Sequence, residues 1–450
     1  MTTADGPSTE RANPPLRNRL HPHRDLVSGS LWVVVSVGIH ALSGFVFWLV
    51  AARLGDADLV GQATALFTAS LFVSYATSLG LPVAIARFAP DDSDRSRDVF
   101  AHAVRATWLG AALGAGIMVA AVPASVRAPL GEIGMPLGIA VFVVVTAGIG
   151  LATLVDVRWM TLRSWRLVVW RVSLLGVVRL ALVPIGDDPL WLFVLVAGAV
   201  SLSGYLGVAV ICGRRLLARI ERPDGVRALV RYSAVHYLGS VAVQGPTFAV
   251  PLIVLLIVPS ADNAVFYVVW GIGANLNLIP HVIGQALLAE GGKSERTIAS
   301  QTKVALALAA GLMIAGAAVL VVARDLVASL YGDGYEQAGT LVAILVMASI
   351  PWAVTAIALT RARVEDRSVL SSIITVSYAA GTIGATIVAT RARGIRGAAD
   401  AWLWANVAVA VIAIGALALM HREQRRAAAA LPADAASSVG AILDVDGVSA

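Results

Sequence analysis

Arg179 is the residue whose setting points most directly to chemistry. It lies inside a long apolar run, eight residues after Arg171 and eight before Asp187, so a helix over this run carries its guanidinium near the middle of a membrane. A charged side chain at that depth costs about 2.5–3.5 kcal/mol and is seldom kept without a use. Because no Asp or Glu lies equally deep in any apolar run, the planar fork of Arg179 is suited to a bidentate anion, above all a pyrophosphate. Two alternatives are equally open from the sequence: the side chain reaches toward the membrane surface, or it bonds to backbone carbonyl groups.

Uncharged polar residues also recur in the apolar runs. His40, Gln244 and Asn275 are candidates to line a site together with Arg179. His40 can titrate near neutral pH in place of a carboxylate, although a lone helix histidine more often only forms a hydrogen bond inside a bundle. Generic polar contacts between helices explain the other residues equally well. The full set is His40, Gln62, Gln244, Asn275, Asn277 and Gln285.

The motifs of common enzymes are missing from the sequence. The seven histidines are scattered, and neither His-Glu-x-x-His nor Gly-x-Ser-x-Gly occurs. The best catalytic candidate is Asp56-x-Asp58, since membrane glycosyltransferases that use polyprenyl-phosphate sugars often carry acidic residues in an early external loop. This connector is only about nine residues long, and Asp262 at the equivalent place in the second half favours a turn or helix cap. We therefore expect no enzyme activity, cofactor or metal, and the single Cys212 cannot form an intramolecular disulfide.

The composition predicts the elements that must position these residues. Hydrophobic residues make up 58% of the 450 and charged residues 14%, which is typical of an integral membrane protein and leaves no room for a sizeable soluble domain. The apolar runs are too long for barrel strands and lack period-2 alternation, so they predict an all-α polytopic bundle. The predicted spans are 27–52, 62–86, 102–122, 134–156, 167–186, 190–212, 235–258, 264–288, 302–323, 338–360, 368–390 and 399–420.

The basic residues predict how the spans are oriented. Of the 34 Lys and Arg residues, 27 lie in the two tails and in alternate connectors. In this count, a basic residue within about one turn of a span end is assigned to the adjoining connector. The positive-inside rule then places both termini in the cytoplasm and accounts for the basic excess, so no nucleic-acid partner is expected. One external connector departs from the pattern, with Arg391, Arg393 and Arg396 between the last two spans. Late connectors can carry basic residues on the external side once the earlier helices have fixed the orientation of the chain, which explains this exception. The alternative is that these arginines bind an external anionic partner.

The spans fall into two sets of equal length. The predicted parts are a cytoplasmic tail at 1–26, six-helix lobes at 27–212 and 235–420, a cytoplasmic linker at 213–234 and a disordered tail at 421–450. Each lobe covers 186 residues, which suggests duplication with a pseudo-twofold axis along the membrane normal. Residue similarity is faint: Ala57-Asp58 and Ala261-Asp262 stand 204 positions apart.

Short motifs near the span ends resemble those of a known superfamily. It contains multidrug exporters, oligosaccharide-lipid flippases and polysaccharide exporters, and the order and spacing of the motifs over 25–420 is similar to its bacterial polysaccharide (O-antigen type, Wzx-like) flippase branch. The motifs are Ala52-Arg53-Leu54-Gly55 with Gly61, Leu79-Gly80-Leu81-Pro82 with Ala86-Arg87-Phe88, Phe266-Tyr267 with Pro280, Tyr331-Gly332-Asp333-Gly334-Tyr335, and Gly394-x-x-Gly397-Ala-Ala.

The resemblance implies a V-shaped pair of lobes that opens a central basic cavity to each membrane face in turn. It implies a polyprenyl-pyrophosphate-linked oligosaccharide as substrate, moved to the external leaflet of a bacterial plasma membrane for lipopolysaccharide and other surface polysaccharides. By position, Arg53 and Arg87 match recurrent arginines of the family and join Arg179 as substrate-binding candidates, although both can simply anchor helix ends. A monomer is expected, with polysaccharide polymerases and glycosyltransferases as possible partners.

The main alternative is a cation-coupled multidrug or metabolite antiporter of the same fold. Such exporters generally need a membrane-embedded carboxylate, whereas Asp156 and Glu290 lie near predicted cytoplasmic ends. The twelve predicted spans also argue against a peptidoglycan-precursor flippase, which usually has fourteen.

Overall fold

The chain folds into helices throughout the part that a computed structural model describes. The described residues are 21–78, 80–213, 226–277, 279–281, 283–284, 287 and 295–429, and no strand occurs among them. Outside them lie residues 1–20 of the predicted tail at 1–26, residues 430–450 of the predicted tail at 421–450, most of the linker, Leu79, Gln285 and Glu290. The N-terminal half contains α1 His21–Leu54, α2 Ala57–Thr77, α3 Leu81–Phe88, α4 Asp94–Ala121, α5 Ala124–Gly131, α6 Met135–Thr161, α7 Trp165–Leu182, α8 Pro189–Phe193 and α9 Ala199–Cys212. The C-terminal half contains α10 Val226–Ile257, α11 Ser260–Leu276, α12 Glu295–Val322, α13 Arg324–Tyr331, α14 Ala338–Met347, α15 Ser349–Val364 and α16 Ser368–Ala429.

Many of these helices can cross a membrane. Within the described ranges, eight helical segments are long and apolar enough, and two shorter apolar segments lie at Gly38–Leu54 and Val241–Ile257. The predicted all-α polytopic membrane architecture is confirmed. The count of twelve spans stays a prediction, partly because α16 combines two helical arms that meet at a kink at Arg393 and Gly394.

The second predicted span is broken rather than continuous. The sequence predicts one helix over 62–86, but α2 ends at Thr77 and α3 begins at Leu81. Gly80 between them has a left-handed φ of 70°, and Pro82 in the first turn of α3 cannot donate the hydrogen bond that would continue a helix from α2.

A buried arginine holds the loop that follows α3. Arg158 near the end of α6 is fully buried and donates to the carbonyl oxygens of Ala89 at 2.5 Å and Asp91 at 2.6 Å. Within this loop, hydrogen bonds from Ser93 and Ser96 lower the pKa of the Asp91 carboxyl from 3.8 to about 2. The contribution of this carboxylate to stability is therefore complete above pH 3.8 and is lost as the pH falls toward 2.

Several local features recur at a spacing of about 200 residues. Helices α5 and α13 have eight residues each and start 200 positions apart. Arg163 and Asp366, which have positive φ of 58° and 53°, stand 203 positions apart in the turns after α6 and α15. The division into two six-helix lobes stays a prediction, and these recurrences support it.

The two halves meet where α2 packs against α11. A Cβ atom at Gly61 would lie 1.9 Å from the carbonyl oxygen of Ser260, so only glycine permits this approach. The Asn263 amide donates to the Gly61 carbonyl oxygen at 3.3 Å and to the Thr64 hydroxyl at 3.2 Å, and the Ser260 hydroxyl donates to the Asp58 carboxylate. We call the end of the bundle with these contacts the predicted external end, and the end with the α3–α4 loop the predicted cytoplasmic end.

We expect Gly61→Ala to destabilise the protein, because its methyl group would push α11 away from α2. The free energy of unfolding should fall by about 1–3 kcal/mol, the usual cost of overpacking. Gly116→Ala is the matched control, since a Cβ atom at Gly116 meets no other atom within 4 Å. Thermal unfolding of both variants in detergent checks this, and equal melting temperatures would contradict the α2–α11 contact.

Candidate substrate-binding site

Arg179 is buried between α1 and α7. The residue is only 2% exposed. Its guanidinium donates from Nε to the Leu175 carbonyl oxygen at 3.2 Å and from Nη2 to the Ser43 hydroxyl at 2.9 Å. Gly176, one turn earlier on α7, lets α1 come close, since a Cβ atom there would lie 2.9 Å from Cβ of Ser43. Within the described residues no carboxylate lies within ion-pair distance of Arg179. No described carboxylate therefore compensates the positive charge of the guanidinium. Neutral oxygens accept some of its hydrogen bonds.

A second arginine on α7 has a different environment. Arg171 forms a two-point ion pair with Asp156 of α6, with Nε 3.0 Å from Oδ1 and Nη2 bonded to Oδ2. Its Nη1 donates to the Ser203 hydroxyl of α9 at 2.9 Å. One guanidinium thus joins three helices. Sequence spacing did not predict this pair, although a signal for it exists: Asp156 and Arg171 stand 15 positions apart, on either side of the short turn between α6 and α7.

His40 lies on α1 next to both arginines. It is exposed, lies within electrostatic reach of Arg179 and Arg171, and its carbonyl oxygen accepts a hydrogen bond from the Ser43 hydroxyl at 3.1 Å. The structure therefore brings together His40 and Arg179, two of the residues that the sequence selected, and adds Arg171 to them.

Arg53 is placed far from this group. It lies ten residues after Ser43 on α1, which is about 15 Å along the helix axis, at the predicted external end. Its guanidinium crosses to the other half and donates to the carbonyl oxygens of Ser329 at 2.6 Å and Leu330 at 2.5 Å, near the C-terminus of α13. A cation there complements the negative end of the α13 dipole.

The remaining candidates occupy separate positions. Arg87 is exposed at the end of α3, at the predicted cytoplasmic end, with its guanidinium 5.9 Å from the centre of the Phe88 ring. Gln244 is exposed on α10. Asn275 is exposed on α11 and donates to the Gly271 carbonyl oxygen of its own helix at 2.8 Å. The structure does not gather these three residues around Arg179 through any described hydrogen bond.

The acidic pair that suggested catalysis has structural roles. Asp56 is the N-cap of α2 and accepts a hydrogen bond from the backbone N–H of Leu59 at 2.8 Å. Asp58 accepts hydrogen bonds from Gln62 at 2.7 Å and from Ser260 across the contact of the halves. Among the described residues, no group of three or more His, Cys, Asp or Glu side chains could hold a metal ion.

Solved structures of transporters share this architecture. An outward-facing MATE family multidrug resistance transporter of the MOP superfamily aligns at 15% identity over 89% of this chain and 97% of its own, with a TM-score of 0.58. The lipid II flippase MurJ, in an inward closed conformation, aligns at 10% identity over 88% and 90% of the two chains, with a TM-score of 0.66. A MOP superfamily transporter from Pyrococcus furiosus aligns at 15% identity over 89% and 96%, with a TM-score of 0.56. The chain has a MATE- and MurJ-like transporter fold.

This MATE- and MurJ-like fold is the helical fold that the sequence resemblance implied. No protein-family model matches the sequence, and a search of curated proteins gave no match. The assignment to the polysaccharide flippase branch therefore stays a prediction.

We expect Arg53→Ala to loosen the predicted external end, because α13 loses the cation at its C-terminal carbonyl groups. Ala57 provides a reporter position, since a Cβ atom at Gly334 of the other half would lie 3.5 Å from its Cβ. In a Cys212→Ser background, Ala57→Cys should react roughly threefold or more faster with a membrane-impermeant maleimide once Arg53 is replaced. Arg396→Ala, at an exposed residue of the same end, is the control. An unchanged labelling rate in the Arg53 variant would argue against this contact.

Proposed function

We propose that this protein is a flippase that moves a polyprenyl-pyrophosphate-linked oligosaccharide from the cytoplasmic to the external leaflet of a bacterial plasma membrane. The observation that carries the proposal is Arg179, a buried guanidinium in an apolar span whose described bonds go to neutral oxygens. Such a cation attracts an anion, and its planar fork matches the oxygens of a pyrophosphate. The fold supports transport, and one structural neighbour is a lipid II flippase.

The three candidate arginines suggest an order of events. Arg87, exposed at the predicted cytoplasmic end, meets the pyrophosphate first. Arg179 attracts it to the middle of the membrane, where α1 has to move aside because it covers the guanidinium in the state described. Arg53 is occupied by α13 while the predicted external end is closed, and opening that end releases it for the exit step. The prenyl chain stays in the lipid, and the sugars cross in the hydrated space between the halves. The exported glycan then serves surface polysaccharide biosynthesis, with polymerases and glycosyltransferases as partners.

A cation-coupled multidrug or metabolite antiporter is the second candidate. Asp156 favours it, because this carboxylate lies within a membrane-spanning helix and its side chain is 22% exposed. The MATE transporter among the structural neighbours is described as a multidrug resistance protein. A deletion strain separates the two functions: lipid-linked oligosaccharide accumulates on the cytoplasmic side if the protein is a flippase, and cation-dependent drug tolerance changes if it is an antiporter.

Arg179→Gln tests the flippase mechanism, since it removes the charge and leaves an amide of related shape. Losing charge-assisted hydrogen bonds to the pyrophosphate should slow glycan export roughly ten- to a hundredfold. Arg179→Lys should restore export only partly, because lysine keeps the charge without the fork. Export is measured as surface glycan in a deletion strain that carries each variant.

Arg166→Gln is the matched control, because Arg166 is an exposed arginine in the first turn of the same helix. It should export glycan at the wild-type rate. Normal export by an Arg179→Gln protein that reaches the membrane at wild-type abundance would remove Arg179 from the mechanism.

A further inference from the structure

The ion pair of Arg171 and Asp156 has the two-point geometry in which an arginine binds either a carboxylate or a phosphate group. Two nitrogens of the guanidinium meet the two oxygens of one carboxylate, which is the fork arrangement that phosphate oxygens also adopt. The remaining Nη1 is fixed by Ser203. The carboxylate thus occupies the position that two oxygens of a phosphate group would take.

This pair is more accessible than Arg179. The side chains of Arg171 and Asp156 are 11% and 22% exposed, whereas Arg179 is 2% exposed. Asp156 lies five residues before the end of α6 and Arg171 six residues after the start of α7, so both sit about 7–9 Å along their helices from the predicted cytoplasmic end. An anion entering from that end reaches Arg171 before it reaches Arg179.

The charges around the pair favour an anionic visitor. Arg171 of α7 is the charged group whose field acts on Asp156, and α9 contributes the neutral Ser203 hydroxyl. Arg179 and Arg171 both act electrostatically on His40 of α1, and Nδ1 of His102 on α4 lies 2.9 Å from the Asp98 carbonyl oxygen of its own helix. With Arg179 uncompensated by a described carboxylate, the cluster of Arg171, Arg179 and Asp156 carries one net positive charge. If a pyrophosphate replaced the carboxylate at Arg171, the next cation along α7 would be Arg179, about 12 Å farther into the membrane.

We propose that Asp156 holds Arg171 as an internal substitute for the pyrophosphate of the substrate, and that the incoming pyrophosphate displaces the carboxylate. The inference rests on the proposed flippase function and adds a specificity-determining pair to it. Only a ligand with two or more suitably spaced anionic oxygens matches what the fork of Arg171 loses when Asp156 leaves. When the substrate departs, the ion pair forms again, so Asp156 lowers affinity and promotes release.

Binding of farnesyl pyrophosphate to the full chain in detergent tests the proposal, with inorganic pyrophosphate and uncharged farnesol as companion probes. Isothermal titration calorimetry near neutral pH should show that the wild type prefers farnesyl pyrophosphate to farnesol. Asp156→Asn removes the competing charge and should tighten farnesyl pyrophosphate binding about tenfold, or about 1.4 kcal/mol. The double variant Asp156→Asn/Arg171→Gln should lose this gain, because the receiving guanidinium is gone. Equal gains for inorganic pyrophosphate would indicate that the prenyl chain contributes nothing to the displacement.

Glu365→Gln is the matched control. Glu365 pairs with the buried Arg361 near the predicted cytoplasmic end of the other half, at 2.8 Å, so the same charge is removed from a similar pair. Its affinity for farnesyl pyrophosphate should equal that of the wild type. Asp156→Ser is a second variant in case Asp156→Asn folds poorly, since it offers Arg171 a hydroxyl as Ser43 does for Arg179, and it must tighten binding as well.

The outcomes separate the two claims. A wild type that binds farnesyl pyrophosphate no better than farnesol would overturn the proposed function. A wild type with that preference whose Asp156 variants bind farnesyl pyrophosphate equally or more weakly would overturn only the displacement of Asp156. The displacement of Asp156 would also be overturned if Glu365→Gln tightened binding as much as Asp156→Asn does, because the effect would then reflect net charge alone.

Discussion

A guanidinium inside an apolar helix has to be satisfied by the protein itself, and this constraint organises the N-terminal half. Lipid offers no hydrogen bonds, so a buried cation draws other helices toward its donors. Arg179 does so through a hydroxyl on α1, Arg171 through a carboxylate on α6 and a hydroxyl on α9, and Arg158 through carbonyl groups of the α3–α4 loop. These contacts fix α1, α6, α7 and α9 relative to one another. Among the described residues, Arg171 pairs with Asp156 and Arg158 lies 3.5 Å from the Asp92 carboxylate, whereas Arg179 has no carboxylate within ion-pair distance.

The contact between the halves depends on a different principle, which is close approach without side chains. Backbone meets backbone at Gly61 and Ser260, and the polar groups of Asn263 and Asp58 complete the contact. In a membrane, helix association gains little from burying apolar surface, so packing and hydrogen bonds must supply the affinity. Helices α2 and α11 begin at residues 57 and 260, 203 positions apart, and their N-terminal ends are in contact. This contact agrees with the predicted pseudo-twofold axis, at which corresponding turns of the two halves would meet.

The sequence predicts those features that depend on one helix at a time. Long apolar runs predict helices, and the depth of Arg179 follows from its distance to Arg171 and Asp187. Partners on other helices are not predictable from spacing alone, so the carbonyl groups bound by Arg53 and the hydroxyl bound by Arg179 became visible only in the folded chain. The apolar run continues through Gly80 and hides the break there, although Gly80 with Pro82 two residues later is typical of a helix start. The pair of Arg171 and Asp156 is different, because its members lie on either side of a short turn. Such a pair can in principle be predicted from the sequence.

The kink in α16 bears on how the chain is made. Two non-helical residues, Arg393 and Gly394, join the arms, and a Cβ atom at Gly397 would lie 2.0 Å from the Ala389 carbonyl oxygen, so the two arms form a tight helical hairpin. Its tip carries Arg391, Arg393 and Arg396, and in the predicted topology these residues have to cross the apolar layer during synthesis. Asp400 pairs with Arg393 at 2.9 Å and is made only seven residues later, so part of this positive charge can be neutralised in transit. In that topology, the ion pair lowers the cost of moving the tip through the membrane as well as stabilising the finished hairpin.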